Sequence, residues 1–196
     1  MLYGAIIGDI VGSIYEFRNL RSKKFPFFAE NGFITDDSCM TIALASAIKE
    51  WKENGGDLSE IAANWMRKIG NLYPDKGYGG MFYSWLRDTT MGPYNSWGNG
   101  AAMRVSAAGW LGTSVAEVKR LSYMITSPTH DHIEGIKGAE ATAVAIFLAR
   151  NGCSKEEIAE YIEIKENSLY CWLKGYYDFG EDRIEKLKYI LSCLKE

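Results

Sequence analysis

Apolar residues recur at three- and four-residue spacing through most of this 196-residue chain. This spacing places them on one face of a helix, whereas a half-buried strand alternates apolar and polar residues. No convincing alternation occurs, so the sequence predicts an all-α fold, built as a single domain over residues 1–196. The predicted helices lie at residues 2–17, 39–51, 57–69, 81–87, 101–108, 114–127, 133–150, 155–164 and 181–196.

Capping residues support several of these boundaries. An N-cap residue followed three positions later by Glu forms a capping box, or its acidic variant, and marks a helix start. Helices are expected to end where glycine allows the backbone to leave the helix, at Asn54-Gly55-Gly56 and Asn151-Gly152. The capping pairs are Asp57 with Glu60, Ser114 with Glu117, and Ser154 with Glu157.

Composition excludes several classes of protein. The net charge of −3 argues against nucleic-acid binding, which needs an excess of Lys and Arg. No apolar run approaches the ~20 residues of a membrane span, and Asp9 interrupts the apolar N-terminus, which lacks the features of a signal peptide. The four cysteines form no CxxC pair, which suits buried thiols in a reducing compartment. We therefore expect a cytoplasmic protein with neither nucleic acid nor membrane as partner.

The segment Thr35-Asp36-Asp37-Ser38 precedes the second predicted helix and permits two interpretations. Thr and Asp at a helix start accept hydrogen bonds from free backbone N–H groups and interact favourably with the helix dipole. Three neighbouring oxygen donors are also what Mg²⁺ binds. On this pattern alone helix capping is favoured over metal binding, and the two do not exclude each other.

The first predicted helix carries two unusual stripes. Gly4, Gly8 and Gly12 form a bare stripe that would allow another backbone to approach closely. Asp9, Ser13 and Glu16 form a polar stripe on an otherwise apolar or glycine-lined helix. That polar stripe faces either solvent or a buried pocket, and the apolar surroundings favour the pocket.

Two further polar segments join helices in the second half of the chain. Gly98-Asn99-Gly100 is a common turn sequence, but it leads directly into a small-residue helix predicted at 101–108. A glycine loop at a helix N-terminus is a plausible seat for phosphate. Both histidines of the chain lie between Ser127 and His132.

Five polar or glycine-rich segments follow one another along residues 4–150. They are Gly8-Asp9 through Gly12-Ser13 to Glu16-Phe17, Thr35-Asp36-Asp37-Ser38, Gly77-Tyr78-Gly79, Gly98-Asn99-Gly100-Ala101-Ala102-Met103-Arg104, and Ser127-x-Thr129-His130. In order and spacing they resemble the motifs of the ADP-ribosylglycohydrolase family, which includes enzymes that remove ADP-ribose from modified proteins. One such motif would be weak evidence, whereas five in order identify the resemblance clearly.

The resemblance implies a compact orthogonal helical domain around two Mg²⁺ ions at the base of an ADP-ribose cleft. Thr35, Asp36 and Asp37 would supply half of the metal site, and the ions would act as Lewis acids at the glycosidic centre. Asp36 and Asp37 are therefore catalytic candidates, together with Glu16, which matches the family's candidate general acid or base. Asp9 is expected to hold the first helix in place. The substrate-binding residues implied by the resemblance are Tyr78, Gly79, Gly98, Asn99, Gly100, Met103, Ser127, Thr129 and His130.

One family motif is missing from the sequence. Family members continue into a helical segment with a Gly-Asp-x-Asp-Thr motif that completes the two-metal site, whereas this chain ends at Glu196 without it. We therefore expect a C-terminally shortened domain that lacks half of the metal ligands. Apolar surface around residues 133–150 would then be uncovered, which predicts a homodimer.

Three functions follow from these observations. The first is a Mg²⁺-assisted hydrolase of the N- or O-glycosidic bond between ADP-ribose and a protein side chain, or of a related ADP-ribosyl compound. The second is a protein that binds ADP-ribose or another nucleotide without turnover. The third is a scaffold in which the site residues serve only the fold, which is disfavoured by the intact Glu16, Asp36, Asp37 and His130.

Overall fold

A computed structural model describes residues 2–18, 20–22 and 24–161 of the chain. These residues form α-helices and two short 3-10 turns, Ser13–Tyr15 and Ala102–Arg104, and they contain no β-strand, which confirms the all-α prediction. The helices are α1 (Tyr3–Gly12), α2 (Asp36–Asn54), α3 (Leu58–Leu72), α4 (Gly80–Arg87), α5 (Ser106–Leu111), α6 (Val115–Thr126), α7 (Ile133–Arg150) and α8 (Lys155–Tyr161).

Helix α2 lies at the centre of the described structure. It packs against α1, α3 and α5, while α7 packs against α5, α6 and α8. The sequence repeats apolar residues at Met40, Leu44, Ala47, Ile48 and Trp51, and this stripe is the core face of α2. The first four are fully buried, and Trp51 packs against the core while partly buried. The N-terminal end of α2, which carries Asp36, therefore projects from a helix held on several sides by the core.

The predicted capping residues perform their role. The Asp57 carboxylate accepts hydrogen bonds from the backbone N–H groups of Ser59 and Glu60 at the start of α3. The Ser114 hydroxyl likewise accepts from the N–H of Glu117 at the start of α6. Such bonds satisfy N–H groups that have no partner within the helix, so each boundary can be recognised from local sequence.

Small residues allow α5 to cross α7 at close range. A Cβ atom added at Gly109 would lie 2.5 Å from the carbonyl oxygen of Ala143 and 2.8 Å from the Cβ of Ile146. The first of these atoms belongs to the backbone and cannot move without shifting α7. Glycine at position 109 is therefore a packing requirement of this crossing.

The prediction of a continuous helix at residues 101–108 is wrong. The segment forms a 3-10 turn, Ala102–Arg104, and α5 begins only at Ser106, after Val105 leaves helical geometry (φ −83°, ψ 2°). No side chain caps the start at Ala101, and the Arg104 side chain is buried against a distant segment. Tertiary contacts thus override the helix propensity of the alanines.

The glycine stripe of α1 has no close neighbour among the described residues. Cβ atoms built on Gly4, Gly8 and Gly12 would meet no atom within 4 Å, so the expected backbone approach is absent from this part of the structure. The predicted 2–17 helix ends at Gly12 and continues as the turn Ser13–Tyr15.

Other predictions concern residues beyond Tyr161. The helix at 181–196, the last residues of the 155–164 helix, and Cys171 and Cys193 lie outside the described residues. Within the described ranges Cys39 and Cys153 are free thiols, and only Cys39 is fully buried. No helix found there combines the length and the apolar character that crossing a membrane requires.

Candidate functional site

Thr35 is the N-cap of α2, and Asp9 of α1 completes the cap. The Thr35 backbone is extended, and its Oγ1 accepts a hydrogen bond from the Asp37 N–H at 3.2 Å. Asp9 accepts from the Thr35 N–H at 2.9 Å, the Thr35 hydroxyl at 2.7 Å and the Ser38 N–H at 3.2 Å. One carboxylate therefore ties α1 to the start of α2, and the capping interpretation of Thr35 is confirmed.

Four carboxylates meet at this end of α2 and form what we call the acidic cluster: Asp9, Glu16, Asp36 and Asp37. Burial, and then repulsion from Asp37, raise the pKa of Asp36 to about 7, with smaller contributions from Glu16 and Asp9. Burial raises the pKa of Asp37 to about 6, assisted by the charges of Asp9 and Glu16. Neither carboxylate forms an ion pair within the described residues. The cluster therefore carries negative charge that no cation in the described part of the chain pairs with.

The donor set of the acidic cluster fits a hard divalent cation. Asp36 and Asp37 offer neighbouring carboxylate oxygens whose mutual repulsion a cation would relieve. The Thr35 hydroxyl donates a hydrogen bond to Asp9, so a lone pair of its oxygen remains for binding a metal ion. Among residues 2–18, 20–22 and 24–161 no three acidic, His or Cys side chains are already arranged as a complete metal centre.

The Tyr78 loop lies beside the acidic cluster. The Asp36 N–H donates to the carbonyl oxygen of Lys76 at 2.8 Å, which fixes this loop against the start of α2. The half-buried Tyr78 ring packs 5.6 Å from the Phe82 ring, between centroids. Burial, and then the neighbouring Cys39 thiol, raise the pKa of the Tyr78 phenol, whose hydroxyl is shielded from solvent. Gly79 is exposed at the start of α4.

A second group, which we call the His130 cluster, comprises Gly100, Arg104, Thr129 and His130. Arg104 Nη2 donates to Thr129 Oγ1 at 2.5 Å and lies 3.4 Å from His130 Nδ1. Thr129 Oγ1 is 2.8 Å from the same His130 nitrogen. Burial, and then the Arg104 charge, lower the pKa of His130 to about 3, so its imidazole is neutral. A Cβ at Gly100 would lie 3.1 Å from His130 Nε2.

Helix α2 connects the two clusters. The Thr41 hydroxyl donates to the Met103 carbonyl oxygen at 3.4 Å, and Thr41 follows Asp37 by one helical turn, a rise of about 6 Å. The turn that carries Met103 therefore packs near the acidic end of α2. Within residues 98–100, Gly98 and Asn99 are exposed and Gly100 is partly buried. This hydrogen bond ties the turn that follows the glycine segment to α2, one helical turn beyond Asp37.

Ser127 is placed apart from the other predicted residues. It lines an open groove of about 450 Å³, together with Arg67 and Tyr123 among others. None of the other predicted site residues lines this groove, and Thr129 and His130 are buried away from it in the His130 cluster. Glu16 is exposed at the edge of the acidic cluster.

Two residues of the site were not predicted from sequence. Arg104, only 1 % exposed, bonds directly to Thr129 and lies against His130. Tyr94 packs its ring 5.9 Å from the His130 ring, and its backbone N–H donates to the Thr129 carbonyl oxygen at 3.3 Å. Arg104 ends the motif that begins at Gly98 and is a single cation in a run of small residues, so the sequence carried a signal for it, whereas nothing local marks Tyr94.

Comparison with known proteins assigns the chain to a family. The ADP-ribosylglycohydrolase family profile matches residues 1–192. The chain is 28% identical to mouse ADP-ribosylhydrolase ARH3 over 186 residues and 29% identical to the human protein of that name over 187 residues. Each alignment covers 80% of this chain and 50% of the relative, so the chain spans about half the length of the curated relatives it matches. The chain belongs to the ADP-ribosylglycohydrolase family.

Proposed function

We propose that this protein hydrolyses the N- or O-glycosidic bond between ADP-ribose and a protein side chain, or a related ADP-ribosyl compound, with assistance from Mg²⁺. The observation that carries the proposal is the pair Asp36 and Asp37, which has no ion-pair partner among the described residues and lies one helical turn from the contact between Thr41 and Met103. The family and the ARH3 relatives, named for ADP-ribosyl hydrolysis, support this choice of chemistry.

Asp36 and Asp37 are the residues that would hold Mg²⁺, with the Thr35 oxygen as a third donor. Bound there, the ion would supply Lewis-acid polarisation of the glycosidic centre and orient the substrate. Glu16 is exposed and close enough to both acids to raise their pKa values, so it can exchange protons with water or a ribose hydroxyl at the same place.

The remaining predicted residues would hold ADP-ribose. Gly98, Asn99 and Gly100 leave backbone groups accessible to phosphate and ribose oxygens, and neutral His130 adds a side chain that needs no counter-ion. Tyr78 would contribute its partly exposed ring, since its hydroxyl is buried beside Cys39, and Gly79 leaves the adjacent surface open. Met103 and Thr129 would contribute packing and position, while Ser127 would act from the neighbouring groove.

A second candidate function is ADP-ribose binding without turnover. It is favoured by the described residues, among which no three acidic, His or Cys side chains are arranged to hold a metal ion. Mg²⁺ keeps most of its waters unless several carboxylates and substrate oxygens replace them, so Asp36 and Asp37 by themselves would bind it weakly. Turnover would then require substrate oxygens or further acidic side chains, for instance from a second copy of the chain, to join these two residues.

Ligand-induced stabilisation and product release distinguish these functions. Thermal unfolding is measured with Mg²⁺ alone, ADP-ribose alone and both together, since a ligand at a hundredfold excess over its Kd stabilises the fold by ~2.7 kcal/mol. A hydrolase responds to both ligands and releases ADP-ribose from a modified protein. Asp36→Ala and Glu16→Gln abolish release, whereas Glu53→Gln, an exposed control on α2, retains it. A response to ADP-ribose that ignores Mg²⁺, without release, establishes the binder, and no response to any ligand refutes both.

The homodimer and the cytoplasmic location stay predictions. Light scattering of the purified chain tests the first. A monomer that binds ADP-ribose and releases it from substrate would contradict the idea that a second copy completes the site.

A further inference from the structure

Arg104 is a buried cation without a carboxylate partner in the described part of the chain. Its side chain is 1 % exposed, and no described acid forms an ion pair with it. Burial lowers the pKa of Arg104 to about 10, so the guanidinium remains charged at neutral pH. Burying a charge without an opposite charge costs folding free energy. The hydrogen bonds that Arg104 makes are therefore the place to look for its role.

The hydrogen bonds of Arg104 run in one direction. A guanidinium has donors and no acceptor, so Thr129 Oγ1 must accept from Nη2 across 2.5 Å. The Thr129 hydroxyl proton can then point to His130 Nδ1 at 2.8 Å or to the Thr126 carbonyl oxygen at 3.5 Å, with the Tyr94 hydroxyl also near this side chain, and the 2.8 Å contact is favoured. The same Arg104 Nη2 carries a second N–H and lies 3.4 Å from Nδ1.

These donors decide which nitrogen of His130 carries the proton. Two donors directed at Nδ1 require that nitrogen to be the acceptor, and a neutral imidazole then holds its proton on Nε2. Without Arg104 the Thr129 hydroxyl could reverse, donating to Thr126 and accepting from a protonated Nδ1. The tautomer is therefore assigned from the donor-only character of Arg104.

The protonated nitrogen faces the glycine segment. A Cβ at Gly100 would lie 3.1 Å from His130 Nε2 and 3.2 Å from Cε1, so the bare Gly100 backbone sits at this edge of the ring. Tyr94 packs against the ring, and Arg104 is the charged group that perturbs it. The Nε2–H is thus held at the segment that would receive ADP-ribose oxygens.

We propose that Arg104 is a positioning residue that fixes His130 as the neutral Nε2–H tautomer, so that this N–H donates to a phosphate or ribose oxygen of ADP-ribose at residues 98–100. Only the identity of the ligand rests on the proposed function. The tautomer itself is a property of the ligand-free protein. Arg104 thereby acts on substrate through His130 and Thr129.

Nitrogen NMR of the imidazoles tests the tautomer directly. The protein contains two histidines, so a His132→Asn variant assigns His130, and Asn retains the capping role that His132 has at α7. We expect His130 Nδ1 to be unprotonated and Nε2 protonated, without change between pH 5 and pH 8. A protonated Nδ1 in the wild-type chain overturns the proposal and requires no further variant.

Substitutions of Arg104 provide the second arm of the test. Arg104→Lys retains a cation that can only donate hydrogen bonds, and it is expected to keep the Nε2–H tautomer. Arg104→Met removes the cation and its donors. In Arg104→Met we expect a population with protonated Nδ1 and roughly 10- to 100-fold weaker ADP-ribose binding, the loss expected for one hydrogen bond to a charged group. Arg87→Met, which removes an exposed arginine at the end of α4, is the matched control and is expected to change neither the His130 tautomer nor ADP-ribose binding.

The outcomes separate the two proposals. A folded Arg104→Met protein with an unchanged His130 spectrum overturns the role of Arg104. If Arg104→Met does not fold, the wild-type and Arg104→Lys spectra still decide the tautomer. A confirmed tautomer in a protein that does not bind ADP-ribose refutes the proposed function and leaves the role of Arg104 intact.

Discussion

Replacement of Asp36 by Asn is expected to stabilise the metal-free protein while it abolishes the response to Mg²⁺. The pKa of Asp36 rises from 3.8 to about 7 on folding, because burial and the charge of Asp37 disfavour its ionised form. At 1.36 kcal/mol per pKa unit this shift corresponds to roughly 4 kcal/mol as an upper bound. Asp36 is partly exposed, and solvent screening reduces the expected gain to about 1–2 kcal/mol.

The pH dependence of this gain has a definite sign. The folded pKa of Asp36 is above the unfolded value, so the folded state binds more protons between pH 3.8 and about 7. Wild-type stability therefore falls as pH rises through this window, whereas the Asn variant has no such loss at position 36. The advantage of Asp36→Asn should be largest at pH 8 and should vanish near pH 4.

Thermal unfolding with a chelator present measures this difference. For a chain of this length we expect the Tm of Asp36→Asn at pH 8 to rise by about 2–8 °C. Glu53→Gln on the same helix is the matched control, because it removes a carboxylate from an exposed pair with Lys49 and should change stability by less than about 0.5 kcal/mol. The reasoning is refuted if Asp36→Asn is no more stable than wild type at pH 8, or if its advantage does not shrink towards pH 4.

Three further predictions test contacts around the site. Asp9→Asn should destabilise by about 2–4 kcal/mol in urea unfolding, since an amide cannot accept all three hydrogen bonds, and a loss below 1 kcal/mol would contradict the capping role. Gly109→Ala should cost about 1–3 kcal/mol because its Cβ meets the α7 backbone. By contrast, Gly4→Ala has free space and should gain up to about 1 kcal/mol of helix propensity; equal effects at both positions would refute the packing argument. Tyr78→Phe should change stability by less than about 1 kcal/mol and leave ADP-ribose affinity in calorimetry nearly unchanged, because the buried hydroxyl faces only the weakly bonding Cys39 thiol; a marked loss of affinity would show that the hydroxyl reaches the substrate.

The helices of this protein are largely determined by its local sequence. The apolar stripe of α2 and the capping residues Asp57 and Ser114 act within a few positions along the chain. Helical periodicity and N-caps depend on neighbours three or four residues away, which a sequence displays directly. The motif residues Thr35 to Asp37 and Thr129-His130 could likewise be recognised, since each motif is short and continuous.

The tertiary structure alone decided how these motifs act together. Asp9 caps a helix that begins 27 residues later, and Arg104 bonds to Thr129 across 25 positions. The tertiary structure also replaces the helix predicted at residues 101–108 by a turn, because burial of the Arg104 side chain competes with the local helix propensity. The charge state of Asp36 and the tautomer of His130 depend on burial and on groups brought from other helices. Such effects arise from the distances between side chains in space, which the order of residues along the chain does not specify.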